Sequence, residues 1–338
     1  MNEDRTNTTE RNVDAAGPGG GSIYEGVVPI DLASVRTYEL ATRPSKVTVG
    51  NFASAVTADT SMKAFLESLP DVLAVRSIRE LATRIRLTRD KGKPIIWGLG
   101  GHVVKTGLSP VLIDLMRKGF LTAIAANGSV LVHDTEIAIA GFTSEDVDAT
   151  LGKGDFGAAK ETGDILNSAA VKAQADGIGL GEAMGRELAG LDPKHAASSL
   201  LCAAYSMKLP VTVHLAIGAD IGHFHPTCDG AALGAATHTD FRLLCSLVRE
   251  MDGGGVYLNC GSAVMLPEVF LKAVTVVRNL GHELRDITTA NFDFVQHYRP
   301  LTNVVKRPTA DGAGRGFAIT GHHELTLPLL AALLVCGE

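Results

Sequence analysis

Residues 94–118, PIIWGLGGHVVKTGLSPVLIDLMRK, contain the pattern that decides the fold. Ile95 to Leu99 is a short apolar run that predicts a buried strand. The run ends in a glycine turn, Gly100-Gly101-His102, and Pro110 to Lys118 then predicts a helix. A strand that passes through a turn into a helix is the repeating unit of an α/β protein.

The same alternation continues to the end of the chain. Further apolar runs predict strands at Ala123–Ala126, Val211–Ile217, Gly255–Leu258, Ile287–Asn291 and Phe317–Ile319. Helical patterns separate them, and most of these strands end in Gly, Asn, His or Asp. This order predicts an α/β fold with a doubly wound, mostly parallel sheet and a ligand crevice at the carboxyl ends of its strands.

The beginning of the chain has a different character. Residues 1–22 are polar and end in GPGGGS, which predicts a disordered tail. We expect residues 23–338 to form one α/β domain with a helical extension at about 60–92, divided by Pro70.

Composition limits the class of protein. The net charge is −6, and the 31 basic and 37 acidic residues are spread along the chain, which disfavours nucleic acid as a partner. The five cysteines form no CxxC pair, which indicates free thiols in a reducing compartment. The start of the chain lacks the apolar segment of a secretory signal, and no apolar run approaches the ~20 residues of a membrane span. We therefore expect a cytoplasmic protein without a membrane partner.

Residues 210–234, PVTVHLAIGADIGHFHPTCDGAALG, have the densest chemistry. The predicted strand leads into a loop with His223, His225, Cys228 and Asp229. These side chains could bind a divalent metal, or the histidines could bond to backbone or substrate. The spacing matches no common zinc pattern, so we expect no metal.

Two other kinds of side chain carry possible chemistry. Lys306 follows Val304-Val305, and a partly desolvated lysine at the end of an apolar strand can form a Schiff base; a solvated lysine in a basic turn is the alternative. Glu136, Asp229 and Asp293 lie in predicted loops, where a carboxylate can hold an amine or a ribose, or cap a turn.

Five segments between about Lys93 and Lys306 resemble the deoxyhypusine synthase family. They are residues 100–119 (GGHVVKTGLSPVLIDLMRKG), 121–138 (LTAIAANGSVLVHDTEIA), 228–234 (CDGAALG), 257–268 (YLNCGSAVMLPE) and 288–293 (TTANFD). The third is similar to the family's TDGSLG and the last to its TAQEFD. The family's catalytic lysine lies in a WGK segment after an Arg-Pro pair; here Arg299-Pro300 is present and Lys306 has no tryptophan before it.

The resemblance implies an NAD-binding fold and a homotetramer with sites between subunits. It also implies dehydrogenation of a polyamine such as spermidine by NAD, followed by transfer of the alkylimine through a lysine to an amine acceptor, which can be a protein. The implied cofactor residues are Gly100, Gly101, His102, Thr106, Asn127, Gly128, Asp229, Gly230, Gly261, Ser262, Thr289, Ala290 and Asp293. We assign catalysis to Lys306, His225 and Glu136, and substrate binding to His133, Asp134 and His223.

Three alternatives remain open at this point. Residues 132–136, VHDTE, are also similar to a segment of archaeal-type ornithine cyclodeaminases, which implies NAD-dependent conversion of an amino acid. A metal-dependent hydrolase could use His223, His225 and Asp229. A protein that senses a ligand without catalysis is the third alternative.

Overall fold

The core of the molecule is a six-stranded sheet in the order β3-β2-β1-β4-β5-β6. The computed structural model describes Tyr24 and residues 26–337. Every neighbouring pair of strands is parallel, so the α/β, doubly wound fold expected from the sequence is confirmed. The strands are β1 (Ile95–Leu99), β2 (Ala123–Asn127), β3 (Val211–His214), β4 (Val256–Cys260), β5 (Thr288–Asp293) and β6 (Arg315–Thr320).

Helices cover both faces of this sheet. They are α1 (Met62–Ser68), α2 (Leu73–Asp90), α3 (Gly101–Lys105), α4 (Ser109–Arg117), α5 (Gly128–Ala140), α6 (Val147–Thr150), α7 (Lys160–Asp176), α8 (Leu180–Leu191), α9 (Leu200–Ser206), α10 (Gly230–Arg249), α11 (Met265–Asn279), α12 (Tyr298–Pro300) and α13 (His323–Cys336). Every residue of β1, β4 and β5 is buried, which explains why β1 and β4 appear in the sequence as mostly apolar runs; β5 also buries Asn291 and Asp293.

The strand order reverses between β1 and β4, and the loops after these two strands touch. The Gly100 amide donates to the Cys260 carbonyl at 2.8 Å. A Cβ on Gly100 would lie 2.1 Å from the Gly261 carbonyl oxygen, so only glycine fits at position 100. In open α/β sheets, ligands bind at the carboxyl edge beside this reversal, the topological switch point.

The free edge of β3 is closed by two side chains of α10. The Asp240 carboxylate accepts from the Val213 amide at 2.8 Å, and the Thr237 hydroxyl donates to the Val213 carbonyl at 2.7 Å. These bonds satisfy backbone groups that an edge strand would otherwise leave open to another chain. They also fix α10 against the strand that opens the histidine-rich loop.

Three local predictions were wrong. Glu136 lies within helix α5, not in a loop after β2. Helix α10 begins at Gly230, ten residues before the start at Asp240 that its apolar pattern predicts. Lys306 ends a π-helical segment, Leu301–Lys306, that continues α12. Tertiary packing can hold β-branched residues such as Val304 in a helix, whatever their propensity.

The described residues up to Lys46 belong to a unit separate from Val47–Glu338. Within the first of these two units, a 3₁₀ turn spans Leu40–Thr42 and contains no buried residue. The predicted disordered tail, residues 1–22, lies outside the described residues.

Candidate functional site

Two histidines meet at the carboxyl edge above β1, β5 and β6. His102 is the second residue of α3, directly after the β1 turn, and His323 is the first residue of α13. Their ring centroids are 5.5 Å apart in an edge-on arrangement. Phe294 extends the cluster, because its ring lies 6.2 Å from His102 and stacks on His322 at 5.6 Å.

The surroundings of His102 lower the pKa of its imidazole. Burial is the largest cause, and the charge of Lys105 adds to it. Glu324 and Asp293 raise the pKa without cancelling the shift. A neutral imidazole has a free lone pair and can accept a proton.

A chain of amide side chains lies beneath this cluster at the ends of β4 and β5. Asn259 donates to the Asn291 side chain at 2.7 Å and to the Ser262 carbonyl at 2.9 Å. Asn291 in turn donates to Gln296 at 2.8 Å. The Oδ1 atom of Asn259 is buried and finds no hydrogen-bond partner in the part of the chain that is described. An acceptor of this kind suits a ligand that brings an N–H group.

The β1 turn also touches the start of α5. A Cβ on Gly101 would lie 2.5 Å from the Ser129 hydroxyl and 3.0 Å from Cδ2 of His133. A Cβ on Gly128 would lie 2.4 Å from the carboxyl carbon of Asp220. These glycines therefore allow loops to pack against each other; the space beside them is filled by protein and is not an open phosphate cradle.

Asp220 and His223 form the part of the edge that follows β3. The Asp220 carboxylate accepts from the Ala216 amide at 2.7 Å, and burial raises the pKa of Asp220. His223 Nδ1 bonds to the Asp220 carbonyl at 2.9 Å, which makes Nδ1 the protonated nitrogen. Its Nε2 atom is buried without a partner among the described residues.

Glu136 is the centre of a hydrogen-bond network on α5. Its carboxylate accepts from the Thr143 hydroxyl at 2.5 Å and from the Thr162 hydroxyl at 3.2 Å. Because Thr143 donates to Glu136, its oxygen accepts from His133 Nδ1, 2.7 Å away. Burial raises the pKa of Glu136, but the hydrogen bonds from His133, Thr143 and Thr162 outweigh burial, and the pKa is lowered. Glu136 is therefore an anion at neutral pH.

A cavity of about 550 Å³ opens beside this network. Neither lysine nor arginine is among the described residues that line it, whereas three of them are glutamates. The lining residues are Glu136, Ile139, Ala140, Phe142, Thr143, Ser144, Glu145, Ala159, Glu161 and Thr162. Carboxylates over an aliphatic and aromatic wall favour a cation with an apolar chain.

Asp134, predicted to bind substrate, instead holds two helices together. Its carboxylate accepts from the Ser199 hydroxyl at 2.6 Å, the Leu200 amide at 2.7 Å and the Leu201 amide at 3.0 Å. These amides are at the beginning of α9, where helix N–H groups need acceptors. Both oxygens of Asp134 are therefore occupied by hydrogen bonds within the protein and are not available to a ligand.

His225 and Asp229 also have structural partners. His225 Nε2 bonds to the Gly157 carbonyl at 2.9 Å, and a Cβ on Gly163 would lie 2.0 Å from its Nδ1. Asp229 accepts from the Ala231 and Ala232 amides and is the N-cap of α10. These are the contacts of a backbone-bonded histidine and of a helix cap, and not those of a ligand site.

Three predicted residues lie away from the carboxyl edge. Thr289 and Ala290 are interior residues of β5 with 0% exposure. Val305, the residue before Lys306, lies against Gly316, because a Cβ on Gly316 would be 2.0 Å from the Val305 carbonyl oxygen. Gly316 is the second residue of β6, about 13 Å before the end of that strand at ~3.3 Å per residue. The structure does not bring Lys306 to the switch point within one chain.

The remaining predicted cofactor residues lie around the edge. Asn127 caps α5 by accepting from the Val130 amide, and the Thr106 hydroxyl donates to the His102 carbonyl at 3.1 Å. Ser262 accepts from the Leu266 amide at the start of α11. Gly230 has open space beside it. It lies seven positions before Thr237, the helix residue that bonds to β3, and is therefore roughly 10 Å beyond that strand.

Sequence reasoning missed His323, Asn259 and Asp220 as site residues. His322-His323 follows the predicted strand Phe317–Ile319, and that position was the available signal. Across residues 26–337, no group of three or more His, Cys, Asp or Glu side chains is arranged to hold a metal ion. Within the same residues, none of the helices is both long and apolar enough to span a membrane.

Solved structures share this fold at low sequence identity. A conserved putative LOR/SDH protein from Methanococcus maripaludis S2 has a TM-score of 0.51 and 15% identity, over 78% of this chain and 70% of that chain. Unliganded AgrE has a TM-score of 0.50 and 17% identity, over 78% of this chain. This chain spans only 34% of AgrE.

A putative deoxyhypusine synthase from Entamoeba histolytica is more distant. Its TM-score is 0.46 with 11% identity, over 82% of this chain and 94% of that chain. The sequence matches no protein-family model and no curated protein. The neighbours are mixed, and at these identities they establish the fold alone.

Proposed function

We propose that this chain is an NAD-dependent enzyme that oxidises an amine bound in the acidic cavity. One observation carries the proposal. A hydrogen-bonded chain runs from Glu136 through Thr143 to His133, and His133 lies against Gly101 at the switch point. It connects a cavity that favours a cation with the edge of the sheet where α/β proteins bind nucleotides.

The cavity supports an amine as the substrate class. Glu136 is ionised and half-buried, so an ammonium group beside it would gain a charge-assisted hydrogen bond. Ile139 and Phe142 offer an apolar surface for the carbon chain. An amino acid would also need a cation for its carboxylate, and the described lining has neither lysine nor arginine. This favours a polyamine-type substrate over ornithine.

The switch point supports the cofactor. The unpaired buried acceptor Asn259 Oδ1 fits a ligand with an amide or amino N–H group, as the nicotinamide and adenine of NAD have. Bound NAD would accept a hydride from the amine-bearing carbon. Asn259 would hold and orient it, and the surrounding burial would exclude water.

Transfer of the resulting alkylimine through Lys306, which the deoxyhypusine synthase resemblance implies, is not included in the proposed reaction. Lys306 is exposed and lies toward the amino edge of the sheet. A lysine from another subunit of the expected homotetramer could supply this step. We propose oxidation as the reaction of the single chain, with any acceptor, small molecule or protein, left to the assembled form.

Conversion of an amino acid is the second candidate. AgrE, whose fold this chain shares, has been crystallised in a ternary complex with ornithine and NAD+. A panel of putrescine, spermidine and ornithine, each with NAD+, separates the two candidates by the appearance of NADH. Turnover of ornithine alone would favour the second.

Calorimetry with NAD+ and the Glu136→Gln variant test the proposal. Removing a charge-assisted hydrogen bond costs about 1.5–3 kcal/mol, so kcat/KM for the amine should fall roughly tenfold to a hundredfold. The Kd of NAD+ should not change. Glu161→Gln is the matched control, since this exposed glutamate lines the same cavity and should alter kcat/KM by less than about twofold. A protein that binds no NAD+ would refute the proposal.

A further inference from the structure

His323 combines complete burial with an unused ring nitrogen. Its side chain is 1% exposed, and Nε2 bonds to the Phe292 carbonyl at 3.0 Å. A carbonyl only accepts, so Nε2 carries the proton and Nδ1 is a lone-pair acceptor. Nδ1 has no hydrogen-bond partner in the described chain. A buried polar atom left unpaired requires a reason, because burial without a partner is costly.

The neighbouring His102 ring offers a hydrogen-bond donor for this Nδ1 atom. The 5.5 Å separation of the ring centroids is close to that of two hydrogen-bonded imidazoles. His102 is the exposed member, so its ring can rotate, whereas His323 is held by the Phe292 carbonyl. If one ring N–H of His102 donates to His323 Nδ1, its other nitrogen presents a lone pair to the crevice.

The charged groups around His102 suit it to accept a proton. Lys105 lies on the same helix, Glu324 and His323 on α13, Asp293 at the end of β5, and His133 across Gly101 on α5. In the free protein, partial burial of the ring lowers the pKa of His102, which favours the neutral form. Once protonated, it would be stabilised by the nearby carboxylates of Glu324 and Asp293.

We propose that His102 is the proton acceptor of the site and that His323 is the positioning residue that orients it. This inference rests on the proposed function only for the identity of the proton donor, an ammonium group. One N–H bond of the ammonium breaks, its electron pair stays on nitrogen as the lone pair, and the proton binds His102 to form imidazolium. The substrate nitrogen is then a free amine, which can form the C=N bond when hydride leaves the adjacent carbon.

Two substitutions of His323 separate positioning from mere packing. The side-chain nitrogen of Gln matches Nε2 of histidine, so His323→Gln keeps the donor to Phe292 and removes the acceptor at Nδ1. The side-chain oxygen of Asn matches Nδ1, so His323→Asn keeps that acceptor and loses the donor. A positioning role predicts that only the Gln variant loses function, whereas a packing role predicts the opposite order. Thermal unfolding of both variants verifies that they fold.

The first measurement needs no substrate. Diethylpyrocarbonate acylates neutral, accessible imidazoles, and peptide mass spectrometry gives the rate at each histidine. We expect His102 to react faster than the exposed His282, because a hydrogen bond from one ring nitrogen to His323 makes the other nitrogen of His102 a better nucleophile. The enhancement should persist in His323→Asn and disappear in His323→Gln. A His102 rate that equals that of His282, or that does not depend on residue 323, would overturn the pair.

The second measurement uses NAD+ with putrescine and spermidine. His102→Gln should lower kcat about 100-fold or more, as expected for loss of a general base, with the Kd of NAD+ unchanged. If the wild type binds no NAD+, the proposed function fails while the acylation rates still decide the histidine pair. If amine oxidation occurs at a normal rate in His102→Gln, the pair fails while the proposed function stands.

Discussion

Asp240 provides the most quantitative prediction, because its carboxyl group is buried and one of its oxygens has no hydrogen-bond partner among the described residues. Its Oδ2 atom accepts from the Gly181 amide at 3.0 Å and the Val213 amide at 2.8 Å. Its Oδ1 atom has no partner among the residues described. Burial raises the pKa of Asp240 from 3.8 to about 7, against the effect of these hydrogen bonds.

The sign of the pH dependence follows from this raised pKa. Below about pH 4 the carboxyl is protonated in the folded and unfolded chains, and its contribution to stability is fully present. Between about pH 4 and pH 7 the unfolded chain releases the proton that the folded chain keeps, so the free energy of unfolding falls as pH rises. The shift of about 3 pKa units corresponds to about 4 kcal/mol in all, of which roughly 2–3 kcal/mol is lost between about pH 5 and pH 8.

Asp240→Asn should remove this loss. The amide oxygen can accept from the Gly181 and Val213 amides, and the amide nitrogen takes the place of the unpaired Oδ1. We expect the free energy of unfolding of the variant, relative to wild type, to increase by roughly 2–3 kcal/mol between about pH 5 and pH 8. Urea unfolding at a series of pH values measures the difference, which cancels the titration of other groups.

Asp134→Asn is the matched control. Both oxygens of Asp134 accept hydrogen bonds, so an amide nitrogen there would face the N–H donor of Leu200 or Leu201. This variant should lose about 1–3 kcal/mol at neutral pH, where Asp240→Asn gains stability. The free energies of unfolding of Asp240→Asn and wild type should therefore diverge between about pH 5 and pH 8. If their difference stays constant within about 1 kcal/mol, the assignment of a raised pKa to Asp240 is refuted.

Four further substitutions test the remaining geometry. In thermal unfolding, Gly100→Ala should destabilise the protein by about 1–3 kcal/mol, because the new Cβ would collide with the Gly261 carbonyl. Gly234→Ala, in open space on α10, should raise stability by up to about 1 kcal/mol in the same assay. Asp229→Ala should cost about 1 kcal/mol through loss of a helix cap, and calorimetry should find the NAD+ affinity unchanged; a large loss of affinity would restore Asp229 to the cofactor site. Lys306→Ala should leave amine oxidation by the chain within about twofold of wild type, as expected for a surface position, and borohydride should label both proteins equally; selective loss of labelling would contradict this placement.

The chemistry of the candidate site was only partly predictable. The sequence directed attention to the ends of strands, and Gly101, His133 and Glu136 lie in the network that the structure assembles there. It could not show that the oxygens of Asp134 are used by the first turn of α9, more than 60 residues away along the chain. A carboxylate in a cap and a carboxylate facing a ligand have the same local sequence, and only their partners distinguish them.

Local sequence determined most of the secondary structure and therefore the fold class. Strands buried on both faces are mostly apolar, so β1 and β4 are visible as short apolar runs between helical patterns, whereas β5 also buries Thr289, Asn291 and Asp293. Alternation of strands and helices then requires a parallel sheet.

Tertiary structure alone decided which strand ends meet. Strand order places the β1 turn against the β4 loop, and it places His323, from the last helix, beside His102 from the third. The same packing moves Lys306 away from that edge by holding its segment as a π-helix over the beginning of β6. Contacts between residues so distant in sequence depend on the packing of the whole sheet, because no local propensity encodes which strands become neighbours.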